Sequence, residues 1–117
     1  TDLVRNNADD ALHIVGKFIL YWKLILKCDA KTKDCILTKK SACTVFHCLL
    51  RAGQTKSILL RANVSALSFL LGYCLNEVDL LRYDVQLGRT PIQFLLDNRL
   101  CIGIVQEWIQ IKANLKR

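Results

Sequence analysis

The scarcity of helix-breaking residues is the feature that most constrains the fold of this chain. Its 117 residues include a single proline, Pro91, and only five glycines. Between these breaks, apolar residues recur every three or four positions, as Ile102, Val105, Trp108 and Ile109 do near the end of the chain. Such spacing places them on one face of a helix. The sequence therefore predicts an all-α domain.

The composition indicates a folded domain with a hydrophobic core. Hydrophobic residues make up 52% of the chain and charged residues 23%, which argues against disorder. At this length we expect one helical domain over residues 1–117. The sequence contains no methionine, even at position 1, so we expect it to be a piece of a longer protein.

The positive charge of the chain is unevenly distributed. The formal net charge is +7, and residues 17–61 carry ten Lys and Arg against two Asp, whereas residues 62–111 carry a small negative excess. A positive half of this kind can recruit an acidic protein segment, nucleic acid or an anionic surface. The alternative is that the lysines form a solvated face that only keeps the domain soluble.

No residue pattern indicates an enzyme. The sequence has no glycine-rich phosphate loop, no HExxH-like motif and no paired carboxylates in apolar surroundings. His13 and His47 are the only histidines; metal or acid–base chemistry is one interpretation. We favour a structural role, in which each ring bridges backbone groups at the start of a helix. We therefore expect no catalytic residues, no cofactor, no bound metal and no small-molecule substrate.

The six cysteines are interpreted as reduced thiols. Several lie in apolar stretches, such as Cys48 beside Leu49, where cysteine behaves as a small hydrophobic residue. Only Cys43 and Cys48, with four intervening residues, approach the spacing of a zinc knuckle, and a disulfide between Cys28 and Cys35 is a further alternative. We see no signal peptide and expect an intracellular protein, cytoplasmic or nuclear.

The apolar run at residues 18–26 does not predict a membrane-spanning segment. Lys23 interrupts it, and it is much shorter than the roughly 20 residues that a membrane helix needs. We expect no membrane partner.

Three segments of the chain share a short pattern. They are Asp10-Ala11-Leu12-His13, Thr44-Val45-Phe46-His47 and Thr90-Pro91-Ile92-Gln93, the last preceded by Gly88-Arg89. The pattern resembles the Gly-x-Thr-Pro-Leu-His signature of the ankyrin repeat family. The two histidines lie 34 residues apart, close to the repeat length of about 33. Thr44 and Thr90 lie 46 residues apart, which implies an insertion. The match is most specific at residues 76–111.

This resemblance implies a short stack of about three ankyrin-like units with an expanded middle unit. The units are predicted at residues 9–42, 43–88 and 89–117. The expected elements are helices at 10–17 and 18–27, a polar connector at 28–42, a helix from Thr44 that ends at Gly53, an inserted helical turn at 54–62, and a helix at 64–74 capped by Asn63 or Ser65.

The third unit carries the clearest local signals. Thr90 is a candidate N-cap and Pro91 falls at the first helical position, where its missing N–H is not needed. Ile92, Leu95 and Leu96 are predicted to line one face of this helix. A turn at residues 98–99 and a partner helix at 102–111 follow.

The resemblance implies a non-enzymatic scaffold or adaptor that binds another protein through an acidic or amphipathic segment. The candidate contacts are Lys31, Lys33, Lys39 and Lys40 on the first connector, and Arg82, Tyr83 and Arg89 on the second. Two alternatives stay open: a basic helical module that binds nucleic acid, and an irregular helical bundle that serves assembly or oligomerisation. A steep salt dependence of binding would indicate phosphate contacts.

Overall fold

The chain folds as an all-α domain, as the sequence predicts. The computed structural model describes residues 8–74 and 78–115. In the first helix it describes side chains only from residue 13 onward. The helices are α1 (Ala8–Lys27), α2 (Ala30–Ile36), α3 (Lys39–Thr55), α4 (Ser57–Ala62), α5 (Val64–Cys74), α6 (Pro91–Asp97) and α7 (Ile102–Leu115). Within the described ranges the extended backbone pairs only at an isolated bridge between Asp84 and Arg89.

The first 20 described residues form one helix, so the prediction of two helices at 10–17 and 18–27 is wrong. Ile14, Val15, Phe18 and Ile25 are all buried on the same face of α1, and the apolar period continues across residues 17 and 18 without a break. Residues 9 and 10 already lie within this helix.

The polar connector is also helical, which corrects the predicted loop at 28–42. Asp29 caps α2 by accepting a hydrogen bond of 2.7 Å from the Thr32 backbone N–H. Thr38 caps α3 in the same way, with its Oγ1 3.1 Å from the Ser41 backbone nitrogen. Because each cap satisfies a backbone donor that a helix start leaves unpaired, two helices begin within ten residues.

A chain of four aromatic rings joins α1 to α5. Phe18 and Trp22 have ring centroids 6.4 Å apart, Trp22 and Phe69 also 6.4 Å, and Phe69 and Tyr73 5.9 Å. The end of α2 rests on this chain, because the Tyr73 hydroxyl lies 2.6 Å from the carbonyl oxygen of Leu37. These contacts fix the position of α2 in the fold.

Helix α3 is the centre of the domain and contacts α1, α4, α5 and α6. It runs through Gly53 to Thr55, so the predicted C-cap at Gly53 is wrong. Gly53 is buried, and a Cβ atom built there would lie 2.8 Å from the Cβ of Leu60. The glycine is needed because α4 packs directly against the α3 backbone at this point.

The inserted segment forms a helix, which confirms the helical turn predicted at 54–62. Its Leu60 is buried, whereas Ile58 is 69% exposed. The Asn63 side chain donates a hydrogen bond of 2.7 Å to the Leu59 carbonyl, so it closes the end of α4 and does not cap the start of α5 with its side chain. The helix predicted at 64–74 is confirmed as α5.

The segment from Gly88 to Leu115 follows its sequence signals closely. Thr90 and Gln93 form a reciprocal capping box with Pro91 in the first turn of α6, and a short 3-10 helix at Arg99–Cys101 leads into α7. The predicted apolar face of α6 needs one correction. Pro91, Phe94 and Leu95 are its buried residues, Ile92 is half-buried, and Leu96 is 51% exposed.

Candidate protein-binding groove

A groove of about 500 Å³ separates one face of α3 from the loop that precedes α6. We call it the α3–loop groove. Cys43, His47 and Arg51 follow each other at four-residue spacing on α3 and therefore lie along one face of the helix. Among the described residues, the lining consists of Cys43, His47, Arg51, Asp79, Arg82, Tyr83, Asp84, Val85, Gln86 and Pro91.

Asp84 organises the loop side of the groove. Its backbone N–H donates to the Arg89 carbonyl at 3.1 Å, and its own carbonyl accepts from the Gly88 N–H at 2.8 Å. Its carboxylate accepts the backbone N–H groups of Gln86 and Leu87 at 2.9 and 3.0 Å. Gly88 has a φ of 73°, a conformation in which a Cβ atom would be strained. These residues close a tight turn.

The turn is fastened to α3 by side chains. The Arg51 guanidinium donates to the buried Asp84 carboxylate, with Nη2 2.9 Å from Oδ2. One helical turn later, the Gln54 amide donates to the Leu87 carbonyl at 3.0 Å. Burial opposes ionisation of Asp84, but the hydrogen bonds from Arg51, Leu87 and Gln86 outweigh it and keep the pKa of the carboxyl below its usual value.

Large apolar side chains project from this anchored loop into solvent. Leu81 is 62% exposed, Tyr83 61% and Val85 84%, whereas Leu80 and Leu87 are buried beneath them. The loop therefore has a buried side that packs on the core and an apolar outer side beside the groove. Apolar surface of this kind, bordered by charged residues, is typical of protein-binding sites.

His47 lines the groove but does not have the structural role predicted for it. Its Nδ1 atom is buried and makes no hydrogen bond with any described residue, and its ring meets the edge of the Phe46 ring at 5.6 Å. Burial of the ring lowers the pKa of His47 below its usual value, and the positive charge of Arg51 lowers it further by a smaller amount. The expected bridge to backbone groups is absent from the described part of the chain, and His13 is exposed on α1.

The four predicted lysine contacts lie on α2 and on the first turn of α3. Lys31, Lys39 and Lys40 are exposed. Lys33 is half-buried, and its Nζ lies 5.7 Å from the Phe69 ring centroid. Its ammonium group therefore makes a cation–π contact with that ring. Lys39 precedes Cys43 by one helical turn and extends the groove face of α3 with a positive charge.

The three contacts predicted on the second connector divide between two positions. Arg82 and Tyr83 are exposed and line the α3–loop groove. Arg89 does not line it: its guanidinium pairs with the Asp97 carboxylate and lies 5.0 Å from the Phe94 ring centroid. Neither Arg51 nor Asp84 was among the predicted contacts. The four-residue spacing of His47 and Arg51 was a usable sign that they share a helix face.

Neither metal chemistry nor disulfide chemistry has support in the described residues. No disulfide joins the six cysteines, and burial raises the pKa of the Cys48 and Cys101 thiols. Across residues 8–74 and 78–115, no three His, Cys, Asp or Glu side chains group as they would around a metal ion.

Comparison with known proteins identified no protein similar to this chain. A scan against models of protein families, a search of curated proteins and a search of solved structures each found no match. Among the described helices, none combines the length and the apolar character that crossing a bilayer requires.

Proposed function

We propose that this domain is a non-enzymatic protein-recognition module that binds a segment of a partner protein at the α3–loop groove. The observation that carries the proposal is the loop itself. Leu81, Tyr83 and Val85 are exposed on a loop whose turn at residues 84–89 is fixed to α3 by Arg51 and Gln54. A rigid loop that presents apolar side chains loses little conformational entropy on binding, and exposed tyrosine is a common anchor in protein interfaces.

The charge at the start of α3 favours an acidic partner segment. The first turn of α3 holds Lys39 and Lys40 and no acidic residue, so the side-chain charges have the same sign as the positive end of the helix dipole. Arg82 adds a further exposed cation on the opposite side of the groove. Such a field increases the association rate and orients an acidic segment more than it increases affinity.

The ankyrin resemblance is part of this proposal. The positive φ of Gly88 and the N-cap at Thr90 with Pro91 support it, since they occur where the family pattern places its glycine, threonine and proline. Helix α3, which carries the second of the three similar segments, contacts α1 and α6, which carry the other two. An intracellular location, cytoplasmic or nuclear, belongs to the proposal as well, and the buried thiols of Cys48, Cys74 and Cys101 support it.

An affinity capture with matched charge variants tests this function. The bait proteins are the wild type, the double variant Lys39→Glu/Lys40→Glu, and a control double variant Lys56→Glu/Arg61→Glu, which reverses two exposed charges away from the groove. We expect a nuclease-resistant protein to be captured by the wild type and the control but lost from the Lys39/Lys40 variant.

Two other results would replace the proposal. If nuclease removes all material captured by the wild type, and the Lys39/Lys40 variant captures none, the domain binds nucleic acid through these lysines. If all three baits capture the same proteins, the lysines are solvated surface and the α3–loop groove is not a recognition site for acidic segments.

A further inference from the structure

Helix α1 presents an apolar ridge on the side that faces away from the core. Leu20 is 69% exposed and Leu24 59%, whereas Ile14, Phe18 and Ile25 are buried on the opposite side of the same helix. Leu20 and Leu24 are one turn apart, so their side chains lie next to each other. None of the α1 side chains that the structure describes, from residue 13 onward, lines the α3–loop groove, so the ridge is a separate surface.

The ridge is a short leucine stripe bounded by lysines. Lys17, Leu20, Leu24 and Lys27 follow at intervals of three, four and three residues, so the two leucines lie between two lysines on one face of α1. A strict stripe of this kind is narrower than the apolar face that packs on a globular core or enters a lipid interface. The spacing therefore favours a second helix as the occupant, lying along α1.

The charges beside the ridge are all positive. Between His13 and Lys27 the helix contains Lys17, Lys23 and Lys27, each exposed, and no acidic residue. Symmetric pairing with a second copy of this chain would place these lysines against each other, which is unfavourable. A helix that carries glutamate or aspartate beside its own leucine stripe would instead place opposite charges together along the seam.

We propose that the outer face of α1 is a second docking surface, for an acidic amphipathic helix of a partner protein. Leu20 and Leu24 contact the leucine stripe of that helix, Tyr21 covers one edge, and Lys17, Lys23 and Lys27 pair with its carboxylates. This surface goes beyond the proposed groove function and does not depend on it.

The direct test uses a synthetic probe peptide of about three heptads, with leucine at a and d and glutamate at e and g. Its binding to the whole chain is measured by fluorescence anisotropy, beside a second peptide with lysine at e and g. We expect the glutamate peptide to bind the wild type at least about tenfold more tightly than the lysine peptide. The variant Lys17→Glu/Lys23→Glu/Lys27→Glu is expected to reverse that preference.

The apolar part of the seam is tested by Leu20→Ser/Leu24→Ser. Both side chains are exposed, so the fold is retained, which circular dichroism verifies. This variant is expected to lose the glutamate peptide, whereas the control Ile58→Ser/Ile109→Ser, which changes two exposed apolar residues elsewhere, binds it like the wild type. Loss of binding in the Lys39→Glu/Lys40→Glu variant instead would assign the peptide to the groove and overturn this proposal.

Three further results would overturn it. The first is equal binding of the two peptides, or of neither. The second is leucine-dependent sedimentation of the chain with phosphatidylcholine–phosphatidylserine vesicles but no binding of the glutamate peptide, which would make the ridge a lipid contact. The third is a wild-type dimer in analytical ultracentrifugation that Leu20→Ser/Leu24→Ser converts to a monomer.

Discussion

Arg51 and Asp84 connect the central helix to the loop that borders the groove. Both Nε and Nη2 of Arg51 lie within hydrogen-bond distance of Oδ2 of Asp84, at 3.1 and 2.9 Å. The other carboxylate oxygen accepts the backbone N–H groups of Gln86 and Leu87. One side chain therefore both closes the turn and attaches it to α3, so the position of Tyr83 depends on an ion pair that lies beneath it.

Removing the Arg51 side of this pair should loosen the loop. In Arg51→Met the Asp84 carboxylate keeps its backbone donors but loses its charged partner. We expect the free energy of unfolding to fall by about 1–3 kcal/mol, measured by urea denaturation. Asp84→Asn keeps an acceptor for the turn and should cost less than Asp84→Ala. Equal unfolding free energies for the wild type and Arg51→Met would show that the pair does not hold the loop.

Two glycines should respond oppositely to replacement by alanine. Gly53→Ala places a Cβ atom 2.8 Å from Leu60 in the core, and we expect a loss of about 1–3 kcal/mol in unfolding free energy. Gly72 is exposed within α5, and a Cβ atom added there would meet no other atom within 4 Å. Gly72→Ala should therefore stabilise the domain by about 0.5–1 kcal/mol. Thermal unfolding followed by circular dichroism measures both, and destabilisation of equal size would contradict this packing.

Local signals explain which parts of the fold were predictable. Thr90, Pro91 and Gly88 each act on the few residues around them, so the start of α6 follows directly from the sequence. Asp29 and Thr38 are equally local caps, but the repeat pattern placed a loop around them. The same pattern divided α1 after Lys17, beside Gly16, although the buried face continues from Val15 to Phe18 within one helix.

The groove was less predictable than the helices because it is made by distant residues. Arg51 and Asp84 are 33 positions apart, and no sequence pattern pairs them. Tyr83 and Arg82 were predicted as contacts and do line the groove. Arg89 was predicted with them, but the position of Asp97 at the end of α6, which determines its pairing, follows only from the folded structure.

The stability of the domain should depend on pH through His47. Because the pKa of His47 is lowered in the folded state, the unfolded chain binds a proton more readily, at its ordinary pKa of about 6.5. The contribution of neutral, buried His47 to the free energy of unfolding should therefore be fully present above about pH 6.5. It should be lost progressively as the pH falls below that value. Urea unfolding at several pH values measures this slope. His47→Gln should flatten it; an unchanged slope in this variant would contradict the burial of His47.

Cysteine reactivity should follow burial. Cys35 is exposed on α2, whereas Cys48 and Cys101 are buried with raised thiol pKa values. In a timed reaction with iodoacetamide, read by peptide mass spectrometry, Cys35 should be alkylated at least about tenfold faster than the two buried thiols, because the thiolate is the reactive form. The difference should vanish in urea. Fast alkylation of Cys101 in the folded protein would contradict the packing of α7.

Site-specific photocrosslinking tests the proposed recognition site most directly. The photoreactive residue p-benzoylphenylalanine is placed at Tyr83, on the rim of the α3–loop groove, or at Gln106, which is exposed on α7. We predict that position 83 gives a nuclease-resistant protein adduct, joined to an acidic segment of the partner. The yield of this adduct should fall in the Lys39→Glu/Lys40→Glu variant, and position 106 should give no such adduct. The same adducts from both positions, or adducts only with nucleic acid, would contradict a protein-recognition site at this groove.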